Sequence, residues 1–391
     1  MKKYYILKMA ALMVAALVLV TSCEKDPEDT DNSTRVDVID DITVNTLWLA
    51  SKVYYISSNI EVRNGATLTI EPGTVIKFTS SGALDVGYSE NATLIASGTA
   101  VSPITFTSAA TAPTPGAWQY LYFGESALQN SIMNYCIVEY AGAEPYYGAL
   151  TIDGSKITVT NCTFRNNAGS QTINLPWRDE NDGFVAFTGN TFTGNSSHAL
   201  YIPCEYLHTV GSNNAITCAP GYGVEIWGDF SQATVTLNKL TVPYYVESNS
   251  IIFVEGNLTI APGVEMKFGG NSHMEVITAN ARINAAGTAT ERIVFTTSST
   301  SPAAGAWVGI FIDEGVATNC VLNYCDIRYA GKDSYTRGAL SINGVTVTVS
   351  NCNFSNSQQY GIYLMGTGAL SGASTGNVFT ACASGNTGTD A

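Results

Sequence analysis

Charge is what this chain has least of. Asp, Glu, Lys and Arg make up 13% of its 391 residues, too few for long solvated helices, while 45% hydrophobic residues are too many for a disordered chain. Basic residues are scarcer than acidic ones, 18 against 32, for a net charge of −14. That balance argues against nucleic acid as a partner and against docking on anionic lipid headgroups. Histidine is nearly missing, with only His198, His208 and His273, and no Cys-x-x-Cys pair occurs, which argues against a zinc centre. Clear Asn-Gly pairs are confined to Asn64-Gly65 and Asn343-Gly344, too few for a sandwich or barrel built from tight hairpins. Beyond the N-terminal segment no stretch shows ten or more residues at helical spacing with caps, so the body is read as all-β.

What is present is repetition. Gly116 to Gly142, GAWQYLYFGESALQNSIMNYCIVEYAG, returns without a gap as Gly305 to Gly331, GAWVGIFIDEGVATNCVLNYCDIRYAG. The echo extends to Leu68–Phe78 and Leu258–Phe268, and to Asn161-Cys162-Thr163-Phe164 and Asn351-Cys352-Asn353-Phe354. Within each copy, short runs of alternating apolar residues recur every ~20 to 30 residues between Gly, Asn, Ser or Pro, the period of stacked coils. In Ile157–Phe164 and Val345–Phe354, β-branched residues alternate with Thr up to an Asn, which suits a corner because it tolerates the left-handed conformation.

At the N-terminus, MKKYYILKMAALMVAALVLVTSC has a basic start, an apolar run too short for a comfortable membrane span, and small residues before a Cys. Val20-Thr21-Ser22-Cys23 resembles the bacterial lipobox, which implies a signal peptide over residues 1–22 and a lipid on Cys23 as the membrane contact. Residues 23–41 are expected to form an acidic tether, and the residues just after Cys23 resemble the surface-export signal of Bacteroidota lipoproteins. An outer-membrane, surface-exposed location is the expectation. The first copy is assigned to residues 42–230, with divergent insert loops at Asn174–Phe184 and Cys204–Gly223, and a continuous second copy to residues 231–391.

The duplicated LTI-PG-x-x-x-KF segment, the GAW segment and the NC-x-F corners resemble the pectin-lyase-like β-helix domains of surface lipoproteins. The resemblance implies a right-handed, single-stranded parallel β-helix, here about fourteen coils at ~25 residues each. Polygalacturonases of that fold carry Asn-Thr-Asp, Asp-Asp and Gly-His-Gly motifs. None lies in this body: Asp40-Asp41 precedes it, and His198 sits in Ser-His-Ala. The Arg-x-Pro-x-x-Arg signature of pectate lyases is missing as well. No catalytic set is recognised, and Lys77 and Lys267 are read as solvated strand positions.

Alternation places Trp118, Tyr120 and Tyr122 outward in the first copy, with Tyr135 one strand later, and Trp307, Phe311 and Tyr324 outward in the second. With Trp177 in the insert, these rings suit stacking on sugars, which makes a polysaccharide the expected partner, unless a loop, Pro113 to Pro115 or Tyr146-Tyr147, covers them. Asp179, Glu180 and Asp182 are a possible Ca2+ site; an exposed acidic turn explains them as well, and no other cofactor is expected. Cys204 and Cys218 bracket an insert and are a possible disulfide, whereas Cys136 with Cys162 and Cys325 with Cys352 are read as reduced core packing. The favoured function is non-catalytic polysaccharide binding or adhesion. The alternatives are a lyase or hydrolase working through Arg178, Asp179 and Asp182, and a plain surface spacer.

Overall fold

Alternation of the Ile157/Val159 kind builds short strands that bury one face each, and every named strand pair is parallel. The computed structural model describes residues 34–176, 183–316, 319–333 and 336–390. From Arg35 onward the chain forms one compact unit, a parallel β-solenoid. Its strands fall into an eight-stranded sheet, a thirteen-stranded sheet and three six-stranded sheets. One strand per coil in the longest sheet gives thirteen coils, close to the number that repeat length implies. The core runs up the middle and holds inward residues such as Ile76, Phe106, Leu150 and Ile327 at zero exposure.

The expected tether ends earlier than its composition suggests. Arg35–Val38 is already a strand, paired with Val53–Ile56, and Val36 and Val38 pack against the core between the polar Arg35 and Asp37.

Corners are made as the Asn residues indicate. Asn161 and Asn351 have φ of 54° and 53°, in the left-handed region. Just inside the corners runs a second, buried amide ladder. Asn190 Nδ2 donates to Val159 O at 3.0 Å, while its Oδ1 accepts from the Cys162 N–H at 2.9 Å and its own N–H donates to Asn214 Oδ1 at 2.9 Å. These bonds satisfy backbone groups that the bend removes from the sheets.

The duplicated copies do not occupy the same faces. Val75–Phe78 lies in the eight-stranded sheet, but its duplicate Glu265–Phe268 lies in the thirteen-stranded one. Ala83–Val86 lies in the thirteen-stranded sheet, and its duplicate His273–Val276 in a separate six-stranded sheet. The exchange happens where the eight-stranded sheet stops at Ala215–Ile216. There the Thr241 hydroxyl takes the place of a strand, accepting from Ile216 N at 3.1 Å and donating to Ile216 O at 2.6 Å, and nearby Pro243 has no N–H to offer. The thirteen-stranded sheet alone passes through the junction, from Asn59–Val62 to Val378–Thr380.

Of the insert loops, Cys204–Thr209 is a 3-10 helix with Cys204, Tyr206 and Leu207 buried, a plug in the stack rather than an exposed loop. Among the described residues no disulfide joins any of the eight cysteines. Cys204 and Cys218 therefore form no disulfide: Cys204 is sealed in the core at the start of the 3-10 turn, and Cys218 is held by a backbone hydrogen bond at Ala199. Cys136 and Cys325 are buried over Cys162 and Cys352 as reduced ladders, and the Cys325 N–H donates to Cys352 Sγ at 3.4 Å.

Candidate functional site on the thirteen-stranded sheet

In-register stacking turns isolated outward residues into a line. On the outer face of the thirteen-stranded sheet, Glu61 stands beside Asp85, Asp85 beside Tyr122, and Tyr122 beside Thr151. The line continues through Asn174, Tyr201, Glu225 and Tyr245 to Lys267. Three depressions of about 350, 420 and 490 Å3 lie along this row.

The first depression is lined by Asp41, Asn59, Glu61, Asp85, Tyr88, Tyr120 and Tyr147. The loop bearing Tyr146 and Tyr147 is tied to the row below it: Asn174 Nδ2 donates to Tyr146 O at 2.7 Å, and the Thr151 hydroxyl donates to Tyr147 O. This sets the Tyr147 ring 4.7 Å from Tyr120 and 5.7 Å from Tyr122. Burial pushes Asp85 up to about 6, and the Tyr120 phenol, also through burial, up to about 12.

The other two depressions share Glu225 and Glu247. Burial and the neighbouring Glu247 raise Glu225 to about 7. His198 is packed between Tyr222 and Tyr245, each at 5.1 Å, and accepts the Gly223 N–H on Nδ1 at 3.2 Å. Burial lowers it to about 4, so it is neutral at physiological pH, with its proton on Nε2, 3.9 Å from the Glu225 carboxylate. Beside this cluster Tyr201 and Trp227 stack at 5.6 Å, nearly parallel, and the half-buried indole has no partner for Nε1 among the described residues.

Of the rings expected to face outward, Tyr122 is on this row and Tyr120, just before the same strand, lines the first depression; Tyr122 is covered by Tyr88, Tyr120 and Tyr147. Trp118 and Trp307 are not outward. Each precedes its strand at a corner, where alternation does not apply, and folds inside to stack on Phe78 at 4.0 Å or Phe268 at 4.3 Å. Their Nε1 atoms donate to Glu139 O and Arg328 O. Phe311 faces out but is covered by Tyr363 and Met365. Tyr135 and Tyr324 are half-buried corner residues with φ of 47° and 49°, and Arg292 lies over the Tyr324 ring. Lys77 and Lys267 both lie over a tyrosine of the preceding coil, Tyr55 and Tyr245. Trp177, Arg178, Asp179, Glu180, Asp182 and Cys23 lie outside the described residues.

Sequence reasoning missed Asp85, Tyr201, Glu225, Trp227 and Tyr245. The available signal was a carboxylate or ring at an outward position between inward apolar residues, as in ALDV, GVEIW and PYYVE. Without the coil-to-coil register these remain separate residues.

Comparison with known families agrees with this architecture. A family model described as a pectate-lyase like beta helix domain matches twice, over residues 40–159 and 228–333, together more than half of the chain. A second, described as a right handed beta helix region, matches residues 123–240. No curated protein and no solved structure matches the chain. The two matches of the first model fall on the two duplicated copies, and the chain belongs to the pectate-lyase-like family of right-handed β-helix domains.

Proposed function

We propose that this protein is a non-catalytic polysaccharide-binding or adhesion module, held at the outer-membrane surface by a lipid on Cys23, which lays a glycan along the outer face of its thirteen-stranded sheet. The observation that carries this reading is the single register row from Glu61 to Tyr245 with three depressions beside it. Strands ~4.8 Å apart repeat side chains on the scale of one sugar ring. Tyrosine and tryptophan faces pack against sugar CH groups, and the amides and carboxylates between them bond hydroxyls. The stacked pair of Tyr201, on this row, and Trp227, two residues beyond Glu225 on the same strand, offers such a platform. Three carboxylates, Glu61, Asp85 and Glu225, precede Lys267 on the row, which favours a neutral or amine-bearing chain and opposes a polyuronate. The lipobox-like Val20–Cys23 and the short apolar run before it support the anchor.

The test is affinity electrophoresis of the chain in gels containing plant, host or microbial polysaccharides. Tyr201→Ala with Trp227→Ala is expected to remove retardation by the bound glycan. Unchanged retardation would contradict the proposed face, and no retardation by any glycan would favour the spacer.

One observation favours a second reading, glycan hydrolysis. Glu225, raised to about 7, shares a depression with Glu247, and a carboxyl that keeps its proton near neutrality opposite a second carboxylate is the arrangement of a general acid and its partner. New reducing ends appearing with the wild-type chain and absent with Glu225→Gln would replace the binding reading with this one.

A further inference from the structure

The first depression differs from the other two in joining tyrosine rings to an uncommitted buried charge. Tyr88, Tyr120, Tyr122 and Tyr147 form a connected cluster, with centroid separations of 4.7 to 6.4 Å. Asp85 lines the same depression and is 6% exposed. Its Oδ2 accepts from Asn59 Nδ2 at 2.7 Å, and its Oδ1 has no partner among the described residues. The other two carboxylates in the depression are committed: Asp41 to Arg63 at 3.0 Å, and Glu61 to the N–H and hydroxyl of Ser89 at 2.6 and 2.8 Å.

A buried carboxylate oxygen without a donor is costly, so its persistence points to a ligand that supplies positive charge. Phenol ring faces attract cations too, and rings grouped about an anion suit an organic ammonium better than a hydroxyl. A bare metal ion fits poorly, because among the described residues no three His, Cys, Asp or Glu side chains converge to hold one. At about 350 Å3 the depression has room for one sugar residue. We propose that this pocket binds an ammonium group on its tyrosine rings with Asp85 as counter-charge and, resting on the glycan reading above, that the ligand is a sugar residue carrying a free amino group.

Burial pushes Asp85 up to about 6, so its charge is present at neutral pH and lost in mild acid. Besides Asp41 and Glu61, the titratable groups facing it are the phenols of Tyr88, Tyr120, Tyr122 and Tyr147. Of these, Tyr120, Tyr122 and Tyr147 are raised by burial and stay neutral across that range.

The test is calorimetric titration of the full chain in detergent with glucosamine oligomers bearing free amines, with fully N-acetylated oligomers of the same length, and with choline. At pH 7 the free-amine oligomer is expected to bind about ten-fold more tightly than the acetylated one, with the preference lost in Asp85→Asn and in Tyr147→Ala. The preference should also fade between pH 7 and pH 5. Acid only increases the ligand's positive charge, so that loss would originate in the protein. Equal affinity for the two oligomers would overturn the ammonium assignment and leave glycan binding standing. Binding of neither oligomer and no binding of choline would overturn both, whereas choline binding that Asp85→Asn abolishes, without binding of either oligomer, would overturn only the sugar as the ligand.

Discussion

A carboxyl group half-way up a β-sheet wall is an energetic liability unless it does something, and Glu225 is the clearest case. Its pKa is raised to about 7 in the folded chain, against 4.5 for an ordinary glutamate carboxyl. The folded state therefore holds the proton more tightly than the unfolded chain. Stability contributed by the protonated form is complete below about pH 4.5 and is lost as pH rises through 7, a difference of about 3 kcal/mol that partial exposure to solvent screens to about 2. Glu225→Gln is expected to match the wild type near pH 4 and exceed it by about 2 kcal/mol at pH 8 in urea unfolding. A variant with the wild-type pH profile would show that the carboxyl is better solvated than its packing implies. At Trp118 the expectation runs the other way. With its indole stacked on Phe78 inside the core, Trp118→Ala should cost about 3–5 kcal/mol of stability in the same measurement. A substitution that spared stability and removed glycan binding would return Trp118 to the surface.

At the scale of the element, the amide ladder fixes the corner between consecutive sheets. Asn190→Ala removes the acceptor of the Cys162 N–H and the donor to Val159 O, both buried. The expected loss is about 2–4 kcal/mol, with faster hydrogen exchange at the Cys162 amide than at strand amides one coil away. Equal exchange rates would show that water or another group replaces the amide. The strands and the Asn corners were legible in the sequence because period-two alternation and left-handed Asn are local properties of a few residues, as in Ile157–Phe164. Register between coils is not local. Asp85 stands beside Tyr122 only because the intervening coil has the length it has, and the row that forms the candidate site cannot be assembled from strand patterns one at a time. Trp118 and Trp307 misled for a related reason: they precede their strands, and a corner residue does not inherit the strand's alternation. Tyr147, in contrast, covers the outward rings as the loop alternative anticipated.

For the molecule as a whole, the duplication makes one scaffold but not two equal sites. Because one face closes at Thr241 while the thirteen-stranded sheet continues, residues duplicated in sequence end up on different walls. Tyr122 lies in the outer row under a tyrosine lid, whereas its duplicate Phe311 lies on another sheet under Tyr363 and Met365. The thirteen-stranded sheet joins the second strands of early coils to the first strands of later ones, so the longest uninterrupted outer surface is also the one that carries Asp85 and Glu225, the carboxylates raised by burial. The measurement that tests this account most directly is the affinity of the full chain for the glycan it retains, compared across two sets of substitutions. The first set, Tyr120→Ala, Tyr201→Ala and Trp227→Ala, lies on the thirteen-stranded sheet, and the second, Tyr55→Ala and Lys77→Ala, lies on the eight-stranded sheet. The account predicts at least about a ten-fold loss for the first set and none for the second. Equal losses, or loss only from the eight-stranded sheet, would contradict it.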